Sequence, residues 1–285
     1  MRLVTLRTAD GLRAGRIDGA EVVALDFPDV GALLDSGPGW QRAAATSGMP
    51  WGPLEEADLA PLIPTPRKII CVGLNYASHI KEMGRDLPAH PTIFAKYARA
   101  LIGAHDPIVL PAVSDRMDWE VELAFVIGLP VRHADEAAAR QSIAGYTILN
   151  DISARDWQFR TTQFLQGKTF EATTPLGPAL VTSDEFGPSV DLAVSCAVDG
   201  EVMQSGRTSD LIFPPVELVR YLSTMLTLEP GDVIATGTPS GVGAGRTPEV
   251  YLRAGQTVRT SIEGLGELVN VCVSDEAQAD RNSAR

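Results

Sequence analysis

From Ile69 onward, glycine and proline cut the chain into apolar runs of strand length, and this segmentation limits the fold more than any other feature. The runs are KIICVGL, PIVLP, EVELAFVIG, GYTILNDI, ALVT, DLAVSCAVDGEVM, DVIATG and TVRTSIEGLGELVNVCV. Rich in Val and Ile and bounded by turn residues, they read as strands. Beyond that point YASHIKEMG, ADEAAARQSIAG and PPVELVRYLSTMLTL read as helices, with Asp135 a candidate N-cap and Pro214-Pro215 a candidate helix start. Ahead of it, RLVTLRT, LRAGRIDG and AEVVALD read as short strands joined by Asp-Gly turns. VGALLDSG and GWQRAAATSG read as short helices closed by glycine. The expectation is a mixed α/β, β-dominated fold, with a small N-terminal β-rich domain over residues 1–60, a catalytic domain over 61–274 and a flexible tail over 275–285. The proline-rich stretch PLEEADLAPLIPTPRK reads as the linker.

Bulk properties exclude some partners. With 285 residues, 45% of them hydrophobic, the chain can bury a large core as one domain or two unequal ones. The formal charge of −12 and the scattered basic residues are the wrong field for nucleic acid. Cys71, Cys196 and Cys272 are odd in number and set among apolar neighbours, which fits buried free thiols in a reducing compartment. The start MRLVTLRTADG carries no signal-peptide run, and no segment approaches the roughly 20 apolar residues of a membrane span. A soluble cytoplasmic protein with no membrane partner is expected.

Chemistry enters with MDWEVELAFVIG. Side chains alternate along a strand, so Glu120, Glu122 and Ala124 share one face and Val121, Leu123 and Phe125 the other. Two neighbouring carboxylates repel, and burial raises the cost, so they need solvent, protons or a cation. Asp151, at the end of GYTILND, is a candidate third ligand. Three carboxylates without histidine or thiolate suit Mg²⁺, Mn²⁺ or Ca²⁺ rather than Zn²⁺. Spacing alone favours the two glutamates facing solvent on an antiparallel sheet over their holding a metal. In VGLNYASHIKEMG, His79 and Glu82 sit three apart on one helical face, as a proton-accepting dyad or as an ordinary exposed pair. Lys168, in LQGKTFEATTPLGP, reads on its own as a surface lysine, with neutralisation of an oxyanion or a substrate carboxylate as the competing reading. LEPGDVIATGTPSGVGAG lacks the Lys-Ser/Thr of a phosphate loop and reads as a tight turn offering Thr236 and Thr238.

Taken in order, VGLNYASHIKE, FAKYARALIGAHDPIVLP, DWEVELAFVIG, GYTILNDISARDWQ, GKTFEATTPLGPALV, DGEVMQSGRTSDLIF, LEPGDVIATGTPSGVG and IEGLGELVN resemble the fumarylacetoacetate hydrolase family over most of residues 69–273. The resemblance implies a mixed β-sandwich roll, assembled as a homodimer, with acylpyruvate hydrolase-like or dienedioate isomerase-like activity. It implies Glu120, Glu122 and Asp151 as ligands of Mg²⁺ or Mn²⁺, with Ca²⁺ as a substitute. It also implies His79 and Glu82 as a catalytic dyad, with Lys168, Gln158 and Thr238 where family members contact substrate. The first 60 residues resemble the small N-terminal domain of many members without a specific motif.

Two departures bear on specificity. Where many relatives have Lys-Pro and a small residue, this chain has KYARALIG, adding Tyr97 and Arg99 near the expected substrate entrance. Arg99 either grips the distal carboxylate of a diacid or faces solvent. Glu171 replaces an aspartate found in several relatives. The first expectation for function is hydrolytic C–C cleavage of an acylpyruvate-like 2-oxo acid. The alternative is decarboxylation of an oxaloacetate-like acid or keto–enol isomerisation on the same scaffold. A non-catalytic ligand-binding roll would not require His79.

Overall fold

The computed structural model describes residues 1–46, 48–82, 86–187 and 190–277, with the side chains of His79, Lys81 and Glu82 outside the description. Eighteen strands and seven α-helices occur among the described residues. The mixed, β-dominated class read from the sequence is the class observed.

An eleven-stranded sheet runs, in spatial order, through Met49–Pro53, Glu21–Ala24, Gly11–Asp18, Arg2–Thr8, Thr174–Thr182, Ile143–Asn150, Val121–Ile127, Val233–Ala235, Ile69–Gly73 and Thr92–Lys96. Short Leu101–Ile102 adds in parallel to Thr174–Thr182. A five-stranded sheet, ordered Glu201–Arg207, Ala193–Val198, Thr257–Ile262, Gly266–Ser274, Ile108–Leu110, meets the first across Val121–Ile127, Ile143–Asn150 and Thr174–Thr182. Met117–Asp118 and Ser153–Ala154 form a two-residue ladder beside them.

Val121–Ile127 lies inside the large sheet, hydrogen-bonded on both edges and buried at every position. Its alternation divides the core: Val121, Leu123, Phe125 and Ile127 enter one apolar cluster, Ala124 and Val126 the other. That arrangement explains a near-continuous apolar run in a strand covered on both faces. Two long runs resolve into hairpins, Ala193–Val198 with Glu201–Arg207 around Asp199-Gly200, and Thr257–Ile262 with Gly266–Ser274.

The helices follow their end signals. Asp135 accepts a hydrogen bond from the Ala138 N–H at 2.8 Å and caps Glu136–Ser142. Proline opens Pro215–Met225, whose buried stripe is Leu218, Val219 and Leu222. The stretch expected to be a linker is packed chain: Leu59, Ala60, Leu62 and Ile63 are buried, and the Ala60 and Leu62 N–H groups donate to Thr5 and Leu176 carbonyls. Proline there ends strands without freeing the chain, because its leucines and isoleucine fill the space between the N-terminal strands and the sheet. Those strands extend the large sheet itself, Arg2 opposite Val181 and Leu3 opposite Leu180. Of the expected tail, residues 278–285 lie outside the described residues. No helix among the described residues is long and apolar enough to cross a membrane.

Candidate metal centre

Adjacent strand ends bring the three acids together. Val121 stands opposite Asn150, so Glu120 and Asp151 are the next residues out on neighbouring strands. The Asp151 N–H donates to the Glu120 carbonyl at 2.9 Å, and the Glu120 N–H donates to the Asn150 side-chain oxygen at 2.9 Å. Glu122 follows one alternation later. One carboxylate oxygen from each of Glu120, Glu122 and Asp151 lies within 4.8 Å of the others, and all three residues are buried. The solvent-facing alternative for Glu120 and Glu122 is therefore excluded.

Cations surround the triad. Lys168 Nζ donates to Glu120 Oε2 at 2.6 Å and to Asp151 Oδ2 at 2.9 Å. Lys96 Nζ donates to Asp151 Oδ1 at 2.5 Å. Arg155 reaches Glu120 Oε1 with Nη1 at 2.6 Å and Asp118 Oδ2 with Nε at 2.8 Å. Asp118 in turn accepts from the Gly243 and Ala244 N–H groups at 2.6 and 3.0 Å, tying the late loop to the centre. Burial pushes the Asp151 carboxyl up, but Lys168 and then Lys96 outweigh it and hold the group below its ordinary value. Glu122 has the backbone N–H of Gly237 at 2.8 Å. Burial, then the charges of Asp151 and Glu120, push its carboxyl well above the usual range. A third acid left short of positive charge beside two others is what a divalent ion would relieve, and an all-oxygen donor set suits Mg²⁺ or Mn²⁺.

Two glycines make the approach possible. At Gly237 the backbone has φ +94°, and a Cβ would come within 2.9 Å of the Val72 carbonyl. At Gly167 a Cβ would strike the Ala154 carbonyl and the Gln158 N–H, both at 2.4 Å. The GK dipeptide thus lets the helix Leu165–Lys168 press against Arg155–Gln158 and drive Lys168 inward.

The remaining expected residues divide. Gln158 is buried at the centre, its Oε1 accepting from Arg155 Nη1 at 2.9 Å. Thr238 is half-buried and accepts from Gln204 Nε2 at 2.8 Å. Lys168, which on its own reads as a surface lysine, is 2% exposed. Arg99 lies at the surface, 82% exposed, facing Glu171 at 3.3 Å, so any grip on a substrate would first require that pair to open. His79 and Glu82 fall on the helix Ala77–Glu82, while their side chains are outside the described residues. Ser78 and Asn75 anchor that segment: Asp210 accepts from the Ser78 N–H at 3.0 Å, and Asn75 Nδ2 donates to the Phe213 and Thr236 carbonyls.

Sequence reasoning passed over Lys96, Asp118, Arg155 and Gln204. A signal existed for two of them: Lys96 ends the apolar run PTIFAK, and Arg155 follows Asp151 by four residues in NDISAR. Gln204, whose Oε1 accepts from the Val121 N–H at 2.9 Å, had none.

Known proteins share both sequence and architecture. Human mitochondrial oxaloacetate tautomerase FAHD2A is 44% identical over 234 residues, covering 81% of this chain and 74% of its own. The structure of fumarylacetoacetate hydrolase from psychrophilic Exiguobacterium antarcticum superposes with a TM-score of 0.87 at 34% identity, covering 96% of this chain and 99% of that one. The structure of 5-carboxymethyl-2-hydroxymuconate delta-isomerase from Mycobacterium smegmatis superposes with a TM-score of 0.77 at 36% identity, covering 96% and 100%. The family description "Fumarylacetoacetate (FAA) hydrolase C-terminal" matches residues 68–273, the span that builds every wall of the acidic centre, and the chain belongs to the fumarylacetoacetate hydrolase family.

Proposed function

We propose that this chain is a divalent-metal-dependent tautomerase of a 2-oxo acid, with an oxaloacetate-type diacid as its substrate class. The observation that carries the reading is the buried triad Glu120, Glu122 and Asp151, bridged on one side by the Lys168 ammonium. The tautomerase and isomerase relatives support it over the C–C hydrolysis that the sequence puts first. Keto–enol interconversion moves one proton between C3 and the 2-oxo oxygen and leaves the carbon skeleton whole.

A divalent ion held by the triad would supply a Lewis acid for the 2-oxo oxygen and an anchor for the adjoining carboxylate. The chain's own groups then handle charge and proton. Lys168 and Arg155 bring positive charge to the side where negative charge develops on oxygen. His79, with Glu82 three residues on, carries this proton in this reading: it takes it from C3, gives it to the 2-oxo oxygen to complete the enol, and makes both transfers in reverse on the return path. Gln158, fixed by Arg155, and Thr238, fixed by Gln204, frame the substrate.

The test follows the enol of oxaloacetate by its ultraviolet absorbance in Mg²⁺, Mn²⁺ and EDTA. Metal-dependent acceleration is expected, reduced about 10²- to 10⁴-fold in His79→Ala. The hydrolase relative keeps acylpyruvate cleavage as the second reading. Cleavage of acylpyruvates without faster oxaloacetate tautomerisation would overturn the first.

A further inference from the structure

The two oxygens of Asp151 each carry an ammonium group, yet the two lysines are placed differently. Lys168 on Oδ2 also serves Glu120. Lys96 on Oδ1 meets Asp151 as its acid among the described residues, and both side chains are 0% exposed. The outer members of the centre, Glu120 and Arg155, keep 9% and 8% of their side chains exposed. Lys96 is therefore shut off from solvent more completely than the outer members of the centre.

Its backbone explains the position. Lys96 is the last residue of Thr92–Lys96, paired with Ile69 at the edge of the large sheet. A lysine could end that strand in water, but this one is turned inward to an acid that solvent does not reach. Breaking a buried ion pair leaves an uncompensated charge, which is far costlier than losing a surface pair. A divalent ion would offset the same acids, so without it their repulsion falls on the lysines.

We propose that Lys96 is the built-in counter-ion of the acidic centre, keeping the fold intact when no divalent ion is bound and so making metal loading a step separate from folding. It acts as a positioning residue through Asp151 and does not touch substrate. The inference rests on the triad being a metal centre. Its readout is stability, so failure of the tautomerase assay and failure here fall on different measurements.

The experiment compares the melting temperatures of the full chain and its Lys96→Met variant in EDTA, in Mg²⁺ and in Mn²⁺. In EDTA the variant should melt about 6–10 °C lower than the parent. Metal should return most of that loss, so that the rise from EDTA to Mg²⁺ exceeds the parent's ordinary ligand-binding rise. Lys96→Arg should behave like the parent. An equal loss with and without metal would make Lys96 a packing residue, and no loss in EDTA would make it dispensable; either result overturns the proposal. If Lys96→Met does not fold in any condition, the double variant Lys96→Met/Asp151→Asn decides. It should fold in EDTA without a metal response, and its failure there also overturns the proposal.

Discussion

At the residue scale, the centre is a contest between burial and charge that Glu122 loses and Asp151 wins. Asp151 has two ammonium partners and stays below the usual carboxylate range. Glu122 has one peptide N–H, and its carboxyl sits well above that range. The sign for stability follows from linkage. A carboxyl whose folded-state value is raised holds its proton more tightly in the native chain. Its contribution is present below the unfolded value near 4.5 and is lost as pH rises through the raised folded value. In EDTA, Glu122→Gln should therefore melt higher than the parent at neutral to mildly alkaline pH, with the gap closing as pH falls toward 5. The same variant should bind Mg²⁺ at least about tenfold more weakly by calorimetry. A variant that is less stable than the parent across that range in EDTA would show that the Glu122 carboxylate is held by something other than metal.

At the scale of elements, the centre depends on turns that let backbone approach side chain. Gly237→Ala should illustrate this: a Cβ at φ +94°, 2.9 Å from the Val72 carbonyl, displaces the N–H that Glu122 accepts from. A cost of about 1–3 kcal/mol is expected in urea unfolding, together with weaker Mg²⁺ binding. Unfolding equal to the parent with unchanged metal affinity would contradict it. Much at this scale was legible in sequence. Asp135 announced its helix by a capping side chain, Pro215 by its place in a first turn, and Glu120 and Glu122 their shared face by period-two spacing. What escaped had long-range partners. Lys96 finds Asp151 55 residues away, and Gln204 finds the Val121 N–H 83 residues away, pairings that only the closed sheets create. The hairpin turn at Asp199-Gly200 was written in its dipeptide, but the apolar run continued across it and masked the break.

Across the whole molecule, the N-terminal strands and the acidic centre share one foundation. Leu3, Leu25, Leu33, Leu34 and Trp40 lie in the same apolar cluster as Ala124 and Ala235, each two residues along the chain from Glu122 or Gly237. Arg7 adds a polar tie, bonding Asp58 at 2.7 Å and Asp106 on the far side of the junction. A module with its own core would melt by itself, whereas one that completes another's core and sheet cannot leave without exposing both. Trp40 and Trp119 sit fully buried on the two sides of this division, and each reports its surroundings by fluorescence. Single-tryptophan variants retaining one or the other should give coincident urea transitions with one midpoint. Mg²⁺ should raise both midpoints together, although Trp40 stands on the N-terminal helix Trp40–Thr46, because a ligand of the native state stabilises everything that unfolds with it. An early transition at Trp40 that Mg²⁺ leaves unmoved would separate the N-terminal strands from the centre they abut.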